Sequence, residues 1–325
     1  MIPNNQSGAD LMTKNISLKE LRKQAAQKIS NALSLTFDES LFETDILFLL
    51  SLNWDLDESK KVSRAVIYSI LDEPVRDDVQ LRFQKYLDKR LIGVPIEHLT
   101  SEKDFYSYSF YVDQRVLIPR PETELLVDKV IELVKAAPQK KINLFDIGVG
   151  SGAIICSCVL EMKKIGLEKR LNRAIGVDLS RDALEVAKIN VERFGLGRSI
   201  ELIHGSLLEP LSFDDNLLDL NIIISNPPYL DIEDSEVCKR VKTFEPHIAL
   251  FSENQGMNHY QNLITAFSGL CLDFPQLVDN SHLILEIGYN QDDKVRCLVQ
   301  NALNLALTIE KDLSSLPRLV HIIPS

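Results

Sequence analysis

Three short stretches carry residue types whose spacing suits chemistry. Asp146-Ile147-Gly148-Val149-Gly150-Ser151-Gly152 places three glycines at alternate positions. Glycine lets a backbone turn tightly and lets a ligand approach the chain without a Cβ in the way. The spacing is GxGxG, not the GxGxxG of the dinucleotide fingerprint, and no glycine follows where a pyrophosphate binder uses one for helix packing. Gly148, Val149, Gly150, Ser151 and Gly152 therefore form one candidate cradle for a ligand. Asp178 ends the run RAIGVD, 26 residues beyond Gly152. A carboxylate at the carboxyl end of a strand can accept both hydroxyls of a ribose. The sharpest stretch is Asn226-Pro227-Pro228-Tyr229, directly after the apolar run Ile222-Ile223-Ile224-Ser225. Its two prolines lack amide donors and leave carbonyls free to accept. The Asn226 side chain offers another carbonyl. An NH2 group on a planar conjugated system has two in-plane hydrogens. One goes to the Asn226 carbonyl and one to the backbone carbonyl of Pro227. That arrangement aims the nitrogen's out-of-plane electron density at an electrophile, while Tyr229 packs a flat face against the planar group.

Together the three stretches indicate methyl transfer from S-adenosyl-L-methionine to a planar, amide-like or aminopurine-like nitrogen. Positioning and electrostatics supply most of the rate in such a transfer. The proton becomes acidic as the N–C bond forms, so no strong base is needed. Cys156 and Cys158 are not required as nucleophiles.

The elements that must position these residues are legible in the periodicity. After Pro138, short β-branched runs alternate with helical stretches. KINLFDI, RAIGVDL, SIELIHG, LNIIIS and HLILEIG read as strands, and LTIEKDL and RLVHIIP as a closing pair. The alternation implies an α/β fold with a parallel, doubly covered sheet. Residues 1–15 read as a flexible tail. Residues 16–100 read as a helical domain in which Leu18, Leu21, Ala25, Ile29 and Leu33 share one face. Its second helix ends near Trp54, a third spans 58–71 with Asp57 as N-cap, and a fourth stops at Gly93. Residues 101–118 read as a β-hairpin linker, and 119–325 as the catalytic domain.

The composition agrees. The 325 residues suit two domains better than one, and 45% hydrophobic with 26% charged excludes wholesale disorder. No apolar run approaches the ~20 residues of a spanning helix, so no membrane association is expected. MIPNNQSGADLMTKN lacks the apolar core of a secretory signal, which points to a cytoplasmic location. The net charge is −11. Residues 1–118 carry 15 basic and 18 acidic groups, a balance of −3, and residues 119–325 carry 21 and 29, a balance of −8. Neither is a basic module, so stable nucleic-acid binding is not expected. Five scattered cysteines suggest reduced thiols, and six dispersed histidines suggest no metal site.

From about Lys89 onward the chain resembles the protein-(glutamine-N5) methyltransferases. The resemblance is carried by KRLIGVPIEHLTSEKDFYSYSFYV, VLIPRPETELLV, LFDIGVGSGAI, GVDLSRDALEVAKIN, ISNPPYL, FEPHIALF and LILEIGYNQ. NPPY alone is shared with adenine-N6 methyltransferases. PRPETE, Pro119 to Glu124, is similar to the members that act on peptide chain release factors rather than on a ribosomal protein. The resemblance implies a class I S-adenosylmethionine-dependent methyltransferase fold, Rossmann-like, with seven strands in the order 3-2-1-4-5-7-6 and the seventh antiparallel. It implies that Gly148 to Gly152 and Asp178 hold S-adenosyl-L-methionine. It implies that Asn226 to Tyr229 hold the glutamine of the Gly-Gly-Gln loop of class I release factors; the helical domain, similar to the family only in size and character, is expected to help dock that protein partner. Glu245-Pro246 matches either a family element beyond the site or a helix N-terminus or turn, and Glu124 stands either as a carboxylate near the cofactor or as a helix-start carboxylate. One departure is Gly205-Ser206-Leu207, where relatives often carry Gly-Asp and an aromatic beside adenine. Ser206 and Leu207 are expected to contact adenine in a weaker or different arrangement. Methylation of a ribosomal protein, or of adenine N6 in RNA or DNA, is the competing expectation.

Overall fold

The computed structural model describes residues 15–53, 62–211, 219–231, 239–302 and 305–325. The chain divides after Thr100 into two compact units. The first holds α1 Leu18–Leu33, α2 Phe37–Leu52, α3 Ala65–Ser69, α4 Asp77–Leu91 and α5 Ile96–Thr100. α1 begins where Ser17 Oγ accepts from the Glu20 amide. α2 begins with a reciprocal capping box between Thr36 and Glu39. Leu18, Leu21, Ala25, Ile29 and Leu33 of α1 are buried, and they pack with Leu47, Phe48, Phe83 and Leu87 of α2 and α4. The buried Asp45 carboxylate is paired by Arg22 and Arg64, which offset its desolvation. Of the helix expected over 58–71, residues 58–61 lie outside the described residues, and among the rest only Ala65–Ser69 are helical. The Asn53 side chain binds both the amide and the carbonyl of Val62, so the backbone there is committed to a side chain and not to a helical turn. Trp54, Asp57 and, apart from Asn15, the tail over 1–15 lie outside the described residues.

The second unit opens with a hairpin, β1 Glu102–Phe105 and β2 Tyr108–Tyr111. Its turn residues Tyr106 and Ser107 have φ of 51° and 65°, the mirror-image geometry that matches strand twist. Residues 112–118 run on irregularly, with Val112 and Val116 packed on Ala183 and Val186. A 3₁₀ turn over Pro121–Thr123 leads into α6 Glu124–Ala136. There follow β3 Ile142–Ile147, α7 Ala153–Lys164, β4 Leu171–Asp178, α8 Arg181–Arg193, β5 Glu201–His204 and β6 Leu220–Ser225. Three short turns come next, α9 Lys239–Phe244, α10 His247–Leu250 and α11 Glu253–Gly256. The chain ends with α12 Asn258–Asp273, β7 Ser281–Glu286, α13 Asp292–Asn301, β8 Leu305–Lys311 and β9 Pro317–Pro324.

The seven strands run in the order β5-β4-β3-β6-β7-β9-β8. Counted within the sheet this is 3-2-1-4-5-7-6. The first five pair in parallel, and β9 is antiparallel to both β7 and β8. β3 and β6 are buried along their whole length, because alternate side chains enter two separate cores. Leu144, Ile222 and Ile224 meet α6, α7 and α8 on one face. Phe145, Ile147 and Ile223 meet α12 and α13 on the other. The chain leaves β3 toward β4 on one side, while β6 pairs on the opposite side. The carboxyl ends of β3 and β6 therefore flank a topological switch point, where open α/β sheets bind ligands.

Candidate active site

At that edge lies an open cleft. It brings together Gly148, Val149, Gly150, Ser151, Asp178, Ser206, Leu207, Asn226, Pro227 and Pro228. Two anticipated residues stand apart from its walls. Gly152 is the N-cap of α7. Tyr229 lines a neighbouring groove with Gly288, Gln291 and Arg318.

The glycine turn is built by backbone bonds. The amides of Gly148 and Val149 both donate to the Val177 carbonyl, at 2.8 and 3.0 Å. Gly148, Gly150 and Gly152 have φ of 74°, 54° and 79°, a region that side chains disfavour. A Cβ on Gly148 would meet nothing within 4 Å, so conformation and not crowding selects glycine there. Asn190 of α8 fixes the far end. Its Nδ2 donates to the Ser151 carbonyl at 2.8 Å and to the Tyr111 carbonyl at 2.9 Å, and its Oδ1 accepts from the Tyr111 amide at 2.7 Å.

Asp178 Oδ2 accepts from the Gly150 amide at 2.9 Å, and Oδ1 accepts from the Ser180 amide at 2.8 Å. Each oxygen keeps a lone pair for a ligand hydroxyl. Burial raises the Asp178 carboxyl above its ordinary range, opposed by these two amides. Asp146, at the end of β3, lies fully buried beneath the turn, and burial pushes it up to about 8. Its Oδ2 accepts from the Ile155 amide at 3.2 Å, which joins the strand to α7. On the far wall, Leu207 adopts φ of 51°, a left-handed conformation that costs about 1–3 kcal/mol for such a residue. His259 and Leu263, one turn apart on α12, also line the cleft.

Asn226 follows the end of β6, where Ser225 Oγ donates to the Ile147 carbonyl at 2.6 Å. Its Nδ2 donates to Thr123 Oγ1 at 3.1 Å. Thr123 Oγ1 donates to Glu286 Oε2 at 2.6 Å. The Tyr229 hydroxyl lies 3.5 Å from Glu286 Oε1. Asn226 Oδ1 is buried and has no hydrogen-bond partner among the described residues. The Tyr229 carbonyl accepts from Gln291 Nε2 at 2.9 Å. Burial also pushes the Tyr229 hydroxyl well above its ordinary range.

Glu245 is buried and ties the Pro119–Glu124 segment to the cleft. Its carboxylate accepts from the Ile118 amide at 3.0 Å and from Arg120 Nη2 at 2.6 Å. Glu124 does not line the cleft. Its carboxylate accepts from the Tyr106 amide at 2.7 Å and braces the hairpin turn. Thr123, Glu286 and Gln291 were not anticipated. The available signal was a carboxylate closing the otherwise apolar strand LILE, at the same sheet edge as Ser225.

A sheet of this order, with a glycine turn after its first strand, a carboxylate ending its second and NPPY after its fourth, is that of the class I methyltransferases. Over 248 residues the chain is 35% identical to the release factor glutamine methyltransferase of Enterococcus faecalis, covering 76% of this chain and 81% of that relative. Over 264 residues it is 31% identical to the release factor glutamine methyltransferase of Bacillus subtilis, covering 80% and 85%. No family model matches the chain. The solved ribosomal protein L11 methylase of Lactobacillus delbrueckii subsp. bulgaricus aligns with 63% of this chain and 80% of its own, at 16% identity and a TM-score of 0.38. The chain belongs to the release factor glutamine methyltransferase family and is a methyltransferase. No described helix is long and apolar enough to cross a membrane.

Proposed function

We propose that this enzyme methylates N5 of the glutamine in the Gly-Gly-Gln loop of class I peptide chain release factors, with S-adenosyl-L-methionine as donor. One observation carries the acceptor assignment. Asn226 Oδ1 is a buried acceptor with no partner among the described residues, next to two residues that have no amide hydrogen. A buried acceptor left unpaired costs about 1–3 kcal/mol, so it is matched to a donor that arrives with the substrate. A primary carboxamide brings two hydrogens, one for Asn226 Oδ1 and one for the Pro227 carbonyl.

The fit to the donor rests on the same cleft. The Gly148–Ser151 backbone is open on its cleft side, the Asp178 oxygens keep lone pairs for ribose hydroxyls, and Leu207 and Leu263 offer apolar walls to a flat base. When bound, S-adenosyl-L-methionine supplies an activated methyl group on a sulfonium. The chain's own residues then orient and exclude. Asn226 and Pro227 hold the acceptor hydrogens in plane, so the nitrogen presents its electron density along one line. The apolar walls of the cleft limit water at the transferring carbon. Orientation of this kind supplies a large part of a transfer rate.

The helical unit is assigned to docking the release factor, an assignment supported by Phe42, Tyr68, Leu81 and Ile92 exposed on its surface. A cytoplasmic location follows from that partner. The deciding experiment is transfer of labelled methyl from S-adenosyl-L-methionine to a purified class I release factor, beside a version whose Gly-Gly-Gln glutamine is alanine. Label on the first and none on the second is expected. Asn226→Ala is expected to lower turnover by roughly 100-fold or more while cofactor affinity holds. Label on neither factor, with cofactor still bound, overturns the acceptor assignment and directs the search to ribosomal protein and RNA.

A further inference from the structure

We propose that Thr123 and Glu286 are positioning residues that hold the Asn226 carboxamide with its oxygen, not its nitrogen, available to the acceptor amide. The inference rests on the acceptor reading above and names what sets that site.

The donor inventory of three side chains decides the orientation. An ionised carboxylate only accepts, so Glu286 Oε2 takes the Thr123 hydroxyl proton at 2.6 Å. A hydroxyl has one proton. With it committed, Thr123 Oγ1 has only lone pairs to offer, and it lies 3.1 Å from the Asn226 amide end. That end must be Nδ2, a donor. Oδ1 is then the end left without a partner. In the reversed amide two acceptor oxygens would meet at Thr123, and the incoming NH2 would face another NH2. Glu286 therefore acts on the acceptor site through Thr123, from a strand 163 residues further along the chain.

The state of Glu286 is the control. It is fully buried, and burial raises its carboxyl to about 7, opposed by the Thr123 hydrogen bond and by Arg318 on β9, and reinforced by Glu122 in the 3₁₀ turn. Arg318 is itself paired with Asp312. Tyr229, which also feels Arg120, faces the carboxylate from the NPPY segment. Tyr260 of α12 donates to the Glu286 main-chain carbonyl at 3.0 Å. Once protonated, Glu286 can donate to Thr123. The Thr123 proton is then free for Asn226, and the amide loses its preferred orientation. Turnover is expected to fall as pH drops through this range.

The test uses the full-length enzyme with a class I release factor from pH 5.5 to 9, and thermal melts confirm that each variant folds. Thr123→Val is expected to lower kcat roughly 100-fold, the scale of a misplaced reactant, with cofactor Kd held within about twofold. Thr123→Ser, which keeps the hydroxyl, is expected to restore most of that loss. Glu286→Gln is expected to remove the acidic limb of the kcat profile. A Thr123→Val enzyme with wild-type kcat, a Thr123→Ser enzyme as slow as Thr123→Val, or an unchanged acidic limb in Glu286→Gln each overturns the proposal. A second readout needs no acceptor. In a 13C titration, the Glu286 carboxyl midpoint is expected to rise in Thr123→Val, because the bond favouring its ionised form is gone. A risen midpoint in an enzyme that labels no release factor supports the relay and overturns only the acceptor reading. An unmoved midpoint overturns the relay.

Discussion

Replacing Glu245 by alanine is expected to loosen the cleft from outside its walls. The side chain is 3% exposed and is bonded to Arg120, which is 35% exposed, and to the amide of Ile118. Breaking a fully buried ion pair costs about 3–5 kcal/mol. Solvent reaches a third of Arg120, so screening reduces the share of that pair to about 1–2 kcal/mol. The Ile118 bond to a charged acceptor adds about 1.5–3 kcal/mol. The two terms share one carboxylate and do not add fully, which gives about 3 kcal/mol for Glu245→Ala. Glu245→Gln keeps a carbonyl for Ile118 and is expected to cost about half as much. Urea denaturation of the four proteins of a cycle, wild type, Glu245→Ala, Arg120→Ala and the double variant, measures the coupling directly. The expected coupling is about 1–2 kcal/mol. Additive effects, or a Glu245→Ala enzyme within about 0.5 kcal/mol of wild type, would refute the reasoning. Turnover reports the second half of the argument. Pro119 and Thr123 on one side and Pro246, Ile248 and Ala249 on the other line the same cleft, so slack between these segments should lower kcat more than it weakens cofactor binding.

Gly256→Ala is expected to displace the NPPY segment. Its φ is +82°, and the added Cβ would stand 2.1 Å from the Tyr229 carbonyl oxygen. A loss of about 2 kcal/mol or more and a drop in kcat should follow; a melting curve and kcat equal to wild type would count against it. Asp146→Asn bears on pH. The folded value of about 8 lies above the ordinary value of about 3.9, so its contribution to stability is fully present below pH 4 and is lost as pH rises through 8. The uncharged variant should therefore gain on wild type between pH 5 and 8 in urea denaturation, by several kcal/mol at most, and a gap that stays constant with pH would contradict the assignment. Ser206→Asp places a carboxylate where Ser206 lines the cleft, and should tighten cofactor binding roughly tenfold, the worth of one charge-assisted hydrogen bond. Calorimetry that finds the same Kd would remove Ser206 from the adenine contacts.

The strands and the glycine turn are legible because both depend on local signals, whereas the order 3-2-1-4-5-7-6 comes only from the family resemblance. Alternating β-branched runs give the parallel sheet, and glycines at every second position give the turn after β3. NPPY was legible because proline removes donors wherever it stands. The braces were not. Thr123 meets Glu286 across 163 residues, and Glu245 meets Ile118 across 127. No local periodicity encodes such pairings. Glu124 shows the limit most clearly. It sits beside Thr123 in sequence, yet one residue of helical rotation turns it to the hairpin while Thr123 joins Asn226. As a residue type the carboxylate suits a helix start as well as a cleft, and the geometry gives the helix start to Glu124 and the cleft to the Thr123 hydroxyl. Among the described residues the third helix of the first unit begins only at Ala65, since the Asn53 side chain takes over the backbone of Val62.

Asn190 has a consequence for how such a gene can be cut and rejoined. One side chain bonds both to Tyr111 beside the hairpin and to Ser151 in the ligand turn, while Phe105 and Phe110 of the hairpin enter the sheet's core. A crossover at Ser101 moves these partners as one inheritable block. A crossover at Pro119, where the sequence reading begins the catalytic domain after a separate linker, would leave Asn190 with one of its three bonds and the core without two phenylalanines. Chimeras that exchange the helical part should accordingly retain cofactor binding when joined at residue 100 and lose it when joined at residue 118.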